Sequence, residues 1–359
     1  MAEMKSVIYR VLFEGERWLG SDAGACLRAL RNLGHDVMDL DINNSFPPWK
    51  SLSLRLACRL IFPLIVQEHN RNLLFLAREF KPDIFLGFKG TYILPETLLA
   101  MKNLGIALFN YYPDVSAFTH PADTLPRALQ TYDCVFSTKS FLAEDLAEHG
   151  YPLRHCEFLP HGYDPEAHHP VAVEPEEKAY YGAEVTFIGS YLPGKTKLLI
   201  ELKRLLPDLD LAIWGDRWHN TDAPELLPHI RGRGLLGIEY MKAICASQIM
   251  LGLLSEQQKG SSRGDQVTSR SFNIPACKAF MLHQRTDEVR QYYEEGREIE
   301  CYDSAEELAD KVRYYLAHPQ ERKAVAEAGY RRCVPAYSQE NRLREIFAWH
   351  QKNSLPSPG

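Results

Sequence analysis

This sequence predicts an α/β protein made of two Rossmann-like, doubly wound halves, each a parallel sheet covered by helices. Three observations lead there. The chain has 359 residues, more than one hydrophobic core usually serves. Short apolar runs alternate with helical periodicity through residues 7–159 and again through 185–351. Between them, Pro160–Gly182 is rich in proline and acids and poor in aliphatics, the composition of a linker.

The first half reads in order. Val7–Phe13 is a short apolar run, the first strand. Gly24–Leu33 sets Ala, Cys and Leu at helical spacing, and Gly34-His35 closes it. Asp36–Asp41 alternates apolar and acidic residues, as an edge strand does. Ser51–Phe80 is a long helical stretch with a kink expected at Pro63. Strands follow at Asp83–Phe88, Ile106–Tyr111, Cys134–Thr138 and Cys156–Leu159, with helices at Pro95–Asn103 and Phe141–His149. Such βαβ repetition favours a parallel sheet.

The second half restarts the pattern. Strands are expected at Val185–Ile188, Leu209–Trp214, Ile249–Leu253, Ala279–His283 and Glu298–Tyr302. Helices are expected at Lys195–Leu206, Ile238–Ala246 and Thr268–Cys277, then Ser304–Ala317, Gln320–Cys333 and Gln339–Gln351. Glu256–Asp265 reads as a polar loop, and Leu355–Gly359 as a frayed end.

Composition narrows the function classes. A formal net charge of −6 gives no general drive toward nucleic acid or an anionic membrane. The eight cysteines are scattered, with no CxxC pair, which disfavours a zinc ribbon or thioredoxin-type site. They read as reduced core thiols of a cytoplasmic protein. Met1–Lys5 runs straight into the first strand without a signal-peptide pattern. The most membrane-like segment, Leu52–Val66, is interrupted by Arg55, Arg59 and Pro63. It reads as a core helix, with a membrane-surface helix as the alternative; peripheral membrane contact is allowed but not required.

Open α/β sheets bind ligands beyond their strand ends, so candidate residues are sought there. Gly189-Ser190-Tyr191 follows a buried-type strand, and Lys195 and Lys197 bring charge to the helix after it. That helix offers N–H groups to an anion, although a plain strand–turn–helix would look the same. Further on, Thr268 or Ser269 is placed to cap a helix, with Arg263 and Arg270 near its positive end. A diphosphate suits that arrangement; so does a capped helix with solvated arginines. In the first half, Asp114 follows Tyr112-Pro113 at a strand end and suits a general base, or a turn. His120 and Asp123 share its loop, and Gly20-Ser21-Asp22 forms another strand-end turn.

Other chemistries lack their motifs. No HExxH occurs, and His168-His169 is the one adjacent histidine pair, so no metal site is expected. Neither opening strand is followed by GxGxxG. Gly189 to Thr196 does match GxxxxGKT, but Pro193 removes one of the cradle's N–H donors and no clear second acid follows.

Four segments resemble GT-B glycosyltransferases, and the CgeB-like (spore maturation protein) group in particular. They are Leu27–Val37 with its Gly34-His35 turn, Leu159-Pro-His-Gly-Tyr-Asp164 with Pro170, Val185–Tyr191 with Leu211–Gly215, and Thr268–Leu282. The likeness runs along nearly the whole chain, and the second and fourth segments are its more specific parts. It implies a GT-B fold with two Rossmann-like domains facing across a cleft. The implied division is 1–165, a linker at 166–182, and 183–337, with a terminal helix at 338–352 returning to the first domain.

The implied activity is metal-independent transfer of a sugar from a nucleoside-diphosphate sugar to a hydroxyl acceptor, with no cofactor and no nucleic acid. Gly189, Ser190, Tyr191, Lys195, Lys197, Trp214 and Gly215 would line the donor. Arg270, with the N–H groups of Thr268 and Ser269, would hold the diphosphate. Asn273 would face the ribose, and Asp114 and Gly20 would lie on the acceptor side. The resemblance also makes the GxxxxGKT match a donor-domain loop rather than a P-loop. Two positions depart from the pattern: Asn273 stands where the family usually has Glu, and Lys278 where it has Gly. Asn offers one uncharged acceptor oxygen. If position 278 needs positive φ, Lys costs about 1 kcal/mol there. A GT-B-shaped nucleotide-binding protein with a lapsed site and a nucleotide-sugar epimerase are the alternatives.

Overall fold

The computed structural model describes residues 7–46, 52–120 and 124–354. The expectations for Met1–Lys5, Asp123 and Leu355–Gly359, and for the side chains of Arg55 and Arg59, lie outside the described residues. Contacts divide the chain into two units. The first comprises residues up to Pro160, Gln258–Arg263 and everything from Leu343; the second comprises His161–Gln257 and Gly264–Arg342.

In the first unit six strands form one sheet: β1 (Arg10–Gly15), β2 (Asp36–Asp41), β3 (Ile84–Phe88), β4 (Ala107–Tyr112), β5 (Cys134–Ser137) and β6 (Cys156–Phe158). Their order is β2-β1-β3-β4-β5-β6, and every pairing is parallel. The chain steps from β1 out to β2, then returns to β3 on the other side. That reversal is a topological switch point. One sheet face packs on the helix Asp22–Asn32 and on Leu343, Ile346 and Phe347 of the last helix, Gln339–Ser354. The other packs on Leu73 and Ala77 of the long helix Leu52–Phe80 and on Leu98 and Met101.

The second unit has five strands: β7 (Val185–Ile188), β8 (Leu211–Trp214), β9 (Ile249–Gly252), β10 (Met281–Gln284) and β11 (Glu300–Tyr302). Their order is β11-β10-β9-β7-β8, again all parallel. The residues of β7, β8 and β9 are buried throughout, because helices cover both faces. The switch point lies between β7 and β9. Tyr163 and Ser338 form a parallel bridge, and a Cβ on Gly162 would sit 2.7 Å from the Gln339 nitrogen, so this approach needs glycine.

Local physics explains where element ends differ from expectation. β1 begins at Arg10 rather than Val7, leaving Val7 and Ile8 exposed. The first helix begins at Asp22 because the Ser21 hydroxyl accepts the Gly24 N–H at 2.9 Å. The linker contains a helix, Pro175–Tyr181, that its composition concealed. Pro175 at the first helical position and the Glu174/Glu177 capping box are the signals that reveal it. Among the described residues, no helix is long and apolar enough to cross a membrane.

Candidate functional site

The second unit's switch point is built by three segments. Gly189 follows β7, Leu253 follows β9, and Arg270 opens the helix Arg270–Ala276. The Arg270 guanidinium donates to the Leu253 carbonyl at 2.6 Å and lies over the Phe187 ring. A Cβ on Gly189 would meet that guanidinium at 3.1 Å. Gly215, after β8, has φ 147°, and a Cβ there would lie 2.0 Å from the Gly189 carbonyl oxygen. Glycine at 215 therefore lets two strand-end turns pack backbone on backbone.

Lys195 points to the same place. It is 6% exposed, donates to the Ser190 carbonyl at 3.5 Å and lies 5.6 Å from the Phe187 ring centroid. Burial, then the charge of Arg270, pushes its ammonium down to about 7. Burial lowers Arg270 as well. Among the described residues, neither cation has a carboxylate within ion-pair distance, and the Arg270 Nε is buried without a hydrogen-bond partner. Asp265 favours the charged form of both, and Glu256 that of Lys195, yet burial outweighs them, so an anion placed between the two cations would relieve a remaining cost.

Helix ends behave differently from expectation. The Gly194 N–H, at the start of the helix Pro193–Leu205, is already taken by the Glu256 carboxylate at 3.0 Å. The Thr196 hydroxyl donates back to the Leu192 carbonyl. The GxxxxGKT segment thus has neither a free cradle nor a free hydroxyl, and it is not a P-loop. Ser269 occupies the cap position of its helix but makes no side-chain cap. The Ser271 hydroxyl, inside the helix, accepts the Thr268 N–H at 3.0 Å and donates to His283 Nε2 at 2.8 Å. His283 Nδ1–H donates to the Gln284 carbonyl, so Nε2 is the acceptor, and burial pushes the imidazole down to about 4. Asn273 is 5% exposed, and its Oδ1 is buried without a partner, as is the Thr268 hydroxyl. Lys278 does adopt positive φ, 59°, and pairs with Glu327.

Three expected donor residues stand elsewhere. Lys197 is exposed, because two residues along a helix turn it away from Lys195. Trp214 is 1% exposed and packs against the Tyr180 and Tyr181 rings. Arg263 belongs to the first unit, over the Phe141 ring, whereas the Arg270–Ala276 helix belongs to the second. Tyr191 stays in the loop after β7, its N–H on the Asp216 carbonyl and its ring edge-on to Trp218.

In the first unit a pocket of about 290 Å³ sits at the carboxyl ends of β1, β3 and β4. Trp18, Phe88, Lys89, Tyr92 and His120 line it. Gly20, with φ 85°, makes the turn that carries Trp18 and Ser21 to its edge. Asn70, on the long helix, accepts the Leu94 N–H and donates to the Tyr92 carbonyl, which fixes the Tyr92 loop. Lys89 has φ 69°, and this strained turn directs its ammonium to Asp114 at 2.8 Å.

Asp114 was expected to be the base, but the structure ties it up. His120 Nε2 lies 3.0 Å from the same carboxylate oxygen. Burial raises the Asp114 carboxyl, yet the His120 hydrogen bond and the Lys89 charge outweigh it and hold it well below the usual carboxylate range. A carboxylate so stabilised is a weak base. His120 instead lines the pocket, with Nε2 also 3.0 Å from the Tyr112 hydroxyl, which itself donates to the Ser116 carbonyl. With the Tyr112 proton spent on Ser116, Nε2 carries a proton that faces the Tyr112 oxygen and the Asp114 carboxylate, which leaves Nδ1 unprotonated in the neutral ring. Proximity on the loop was the only sign of His120 in the sequence.

Residues 195–348 match a family described as "Glycosyl transferase-like". Spore protein CgeB of Bacillus subtilis (strain 168) is 32% identical over 82 residues, 23% of this chain. The chain matches about a quarter, 24%, of that relative's length. The crystal structure of a glycosyltransferase from Rickettsia africae superposes with a TM-score of 0.65 at 13% identity, covering 98% of this chain and all of that one. Anabaena HepE, in complex with UDP-glucose, superposes with a TM-score of 0.64 at 11% identity, covering 97% of this chain and all of that one. At such identities the likeness establishes the fold, which is GT-B.

Proposed function

We propose that this chain, a GT-B-fold protein of CgeB-like type whose second unit carries a glycosyl transferase-like domain, transfers a sugar from a nucleoside-diphosphate sugar to a hydroxyl acceptor. The observation that carries this reading is the pair of buried cations, Lys195 and Arg270, at the switch point of β7 and β9, each outside direct ion-pair distance of a carboxylate. A diphosphate satisfies both. As the glycosidic bond breaks, negative charge grows on the departing diphosphate, and two fixed cations stabilise that charge more than they stabilise the bound donor. In this reading the cations do the neutralising and no metal is called for. Asn273 contributes its partnerless Oδ1 as acceptor for a ribose hydroxyl, and Gly189 leaves room for the phosphates.

The acceptor belongs to the first unit's pocket. Trp18, Phe88 and Tyr92 offer ring faces to a sugar or another flat apolar surface. His120 takes the acceptor's proton at Nδ1, and Asp114 holds the ring in that tautomer and stabilises the imidazolium.

The first test is a thermal-shift panel of UDP, GDP and dTDP on the whole chain. A nucleotide at 100 times its Kd adds about 2.7 kcal/mol of stability. The matching nucleotide sugar is then assayed for release of the diphosphate. The absence of a shift with every nucleotide would remove the donor reading. A shift without turnover on any acceptor would favour a GT-B-shaped binding protein, the reading that Asn273 in place of Glu supports.

A further inference from the structure

A separate cavity of about 550 Å³ opens within the second unit. Pro170 and Val171 of the linker line it, with Cys245 from the helix Ile238–Ala246 and Cys277 from the end of the helix Arg270–Ala276. Both helices stop at this cavity, which brings together cysteines remote in sequence. The Cys245 thiol donates to the Cys277 carbonyl at 3.7 Å, and the neighbouring Cys277 thiol favours the Cys245 thiolate. Lys178 and Lys323 add positive charge to the lining.

We propose that Cys245 and Cys277 form a thiol–disulfide exchange site that takes an anionic low-molecular-weight disulfide of the glutathione type and closes into an intramolecular disulfide. The Cys245 thiolate attacks one sulfur of the small disulfide. That S–S bond breaks, a mixed disulfide forms on Cys245, and the other half leaves as a thiolate. The Cys277 thiol then loses its proton and attacks the Cys245 sulfur, and the remaining small thiol departs, the two small thiolates being protonated by the protons released. Two protein thiols are oxidised to one disulfide, and one small disulfide is reduced to two thiols.

The surroundings select Cys245 as the attacking sulfur. The Cys277 hydrogen bond, helped by the Val171 N–H and the charge of His169, outweighs burial and brings its thiol down to about 7. Burial pushes Cys156, Cys301 and Cys333 up to about 12, where little thiolate forms at neutral pH. The positive lining draws in a carboxylate-bearing disulfide. The new bond would tie the end of one helix to the residue that caps the helix carrying Arg270 and Asn273.

The test uses the reduced whole chain and glutathione disulfide at neutral pH, followed by digestion under thiol-blocking, non-reducing conditions and mass spectrometry. The expected product is a Cys245–Cys277 cross-linked peptide that dithiothreitol reverses and that forms before any other cysteine reacts. Cys277→Ser should halt the reaction at a glutathionyl adduct on Cys245, and Cys245→Ser should leave Cys277 reduced. The unsubstituted chain decides the matter even where a variant does not fold. First reaction at another cysteine, or a lasting Cys245 adduct beside a free Cys277, overturns the proposal, as does a chain that stays fully reduced.

Discussion

Arg270 donates a hydrogen bond to the Leu253 carbonyl at 2.6 Å, which anchors a helix-borne guanidinium at the carboxyl end of the second sheet's central strand, β9. One N–H is thereby spent on the protein, while Nε stays buried and without a hydrogen-bond partner. The guanidinium is held in place before any ligand arrives, which lowers the ordering cost of binding one.

Arg270→Ala is expected to abolish the thermal shift given by the preferred nucleoside diphosphate, a loss of at least about tenfold in affinity. Arg270→Lys keeps the charge but loses the fork, so weak binding should survive. Titration calorimetry on both variants checks the order. Equal, undiminished affinity in both would remove Arg270 from the site.

Lys195 links binding to pH. Its folded value, about 7, is depressed below its unfolded value near 10.5. Below about pH 7 both states carry the charge, and the full cost of burying it is present. Between about 7 and 10.5 the unfolded chain holds the extra proton, so this group's contribution to stability rises with pH across that window. A bound diphosphate favours the charged form, so above about pH 7 binding takes up a proton and affinity falls as pH rises. Calorimetry in buffers of different ionisation enthalpy measures that uptake. Lys195→Met should raise the unfolding midpoint of the unliganded chain at pH 7 while weakening nucleotide binding. A lower midpoint would mean that the lysine is not strained.

Gly215→Ala should prevent folding or cost several kcal/mol, because the added Cβ has the Gly189 carbonyl in its way. Gly232→Ala is the control: it shares positive φ, 83°, but a Cβ there meets nothing within 4 Å. Its cost should be only about 1 kcal/mol. Urea midpoints of the two variants report the difference, and similar midpoints would contradict the backbone packing described.

His120→Ala should lower kcat by roughly 10²–10⁴ and leave nucleotide affinity unchanged. Asp114→Asn keeps the shape but removes the carboxylate that holds the ring, so it too should act on kcat. Steady-state kinetics with calorimetry separates the effects. Undiminished turnover in His120→Ala would return the acceptor side to another residue.

Much of the chain was readable beforehand. Strands β7, β8 and β9 stood out because burial on both faces demands uninterrupted apolar runs bounded by Gly or Ser. Gly189 and Arg270 were singled out because a strand end and a helix start leave local marks, and Asn273 only through the family resemblance. Lys197 was not separable from Lys195 by charge alone; helix phase decides between them. The Ser271 bond to His283 left no local mark, because His283 is brought in from β10.

Alternation, turn residues and helix starts are short-range properties, so the sequence by itself determined that there are two parallel-sheet halves and which loops close their strands. It also determined the departures at Asn273 and Lys278. Only the tertiary structure decided which charges are buried without partners, that Glu256 fills one helix end, that Asp114 is held by Lys89 and His120, and that Cys245 meets Cys277. The physical reason is range: a charge's pKa and availability depend on burial and on neighbours tens of residues away, and no local pattern encodes either.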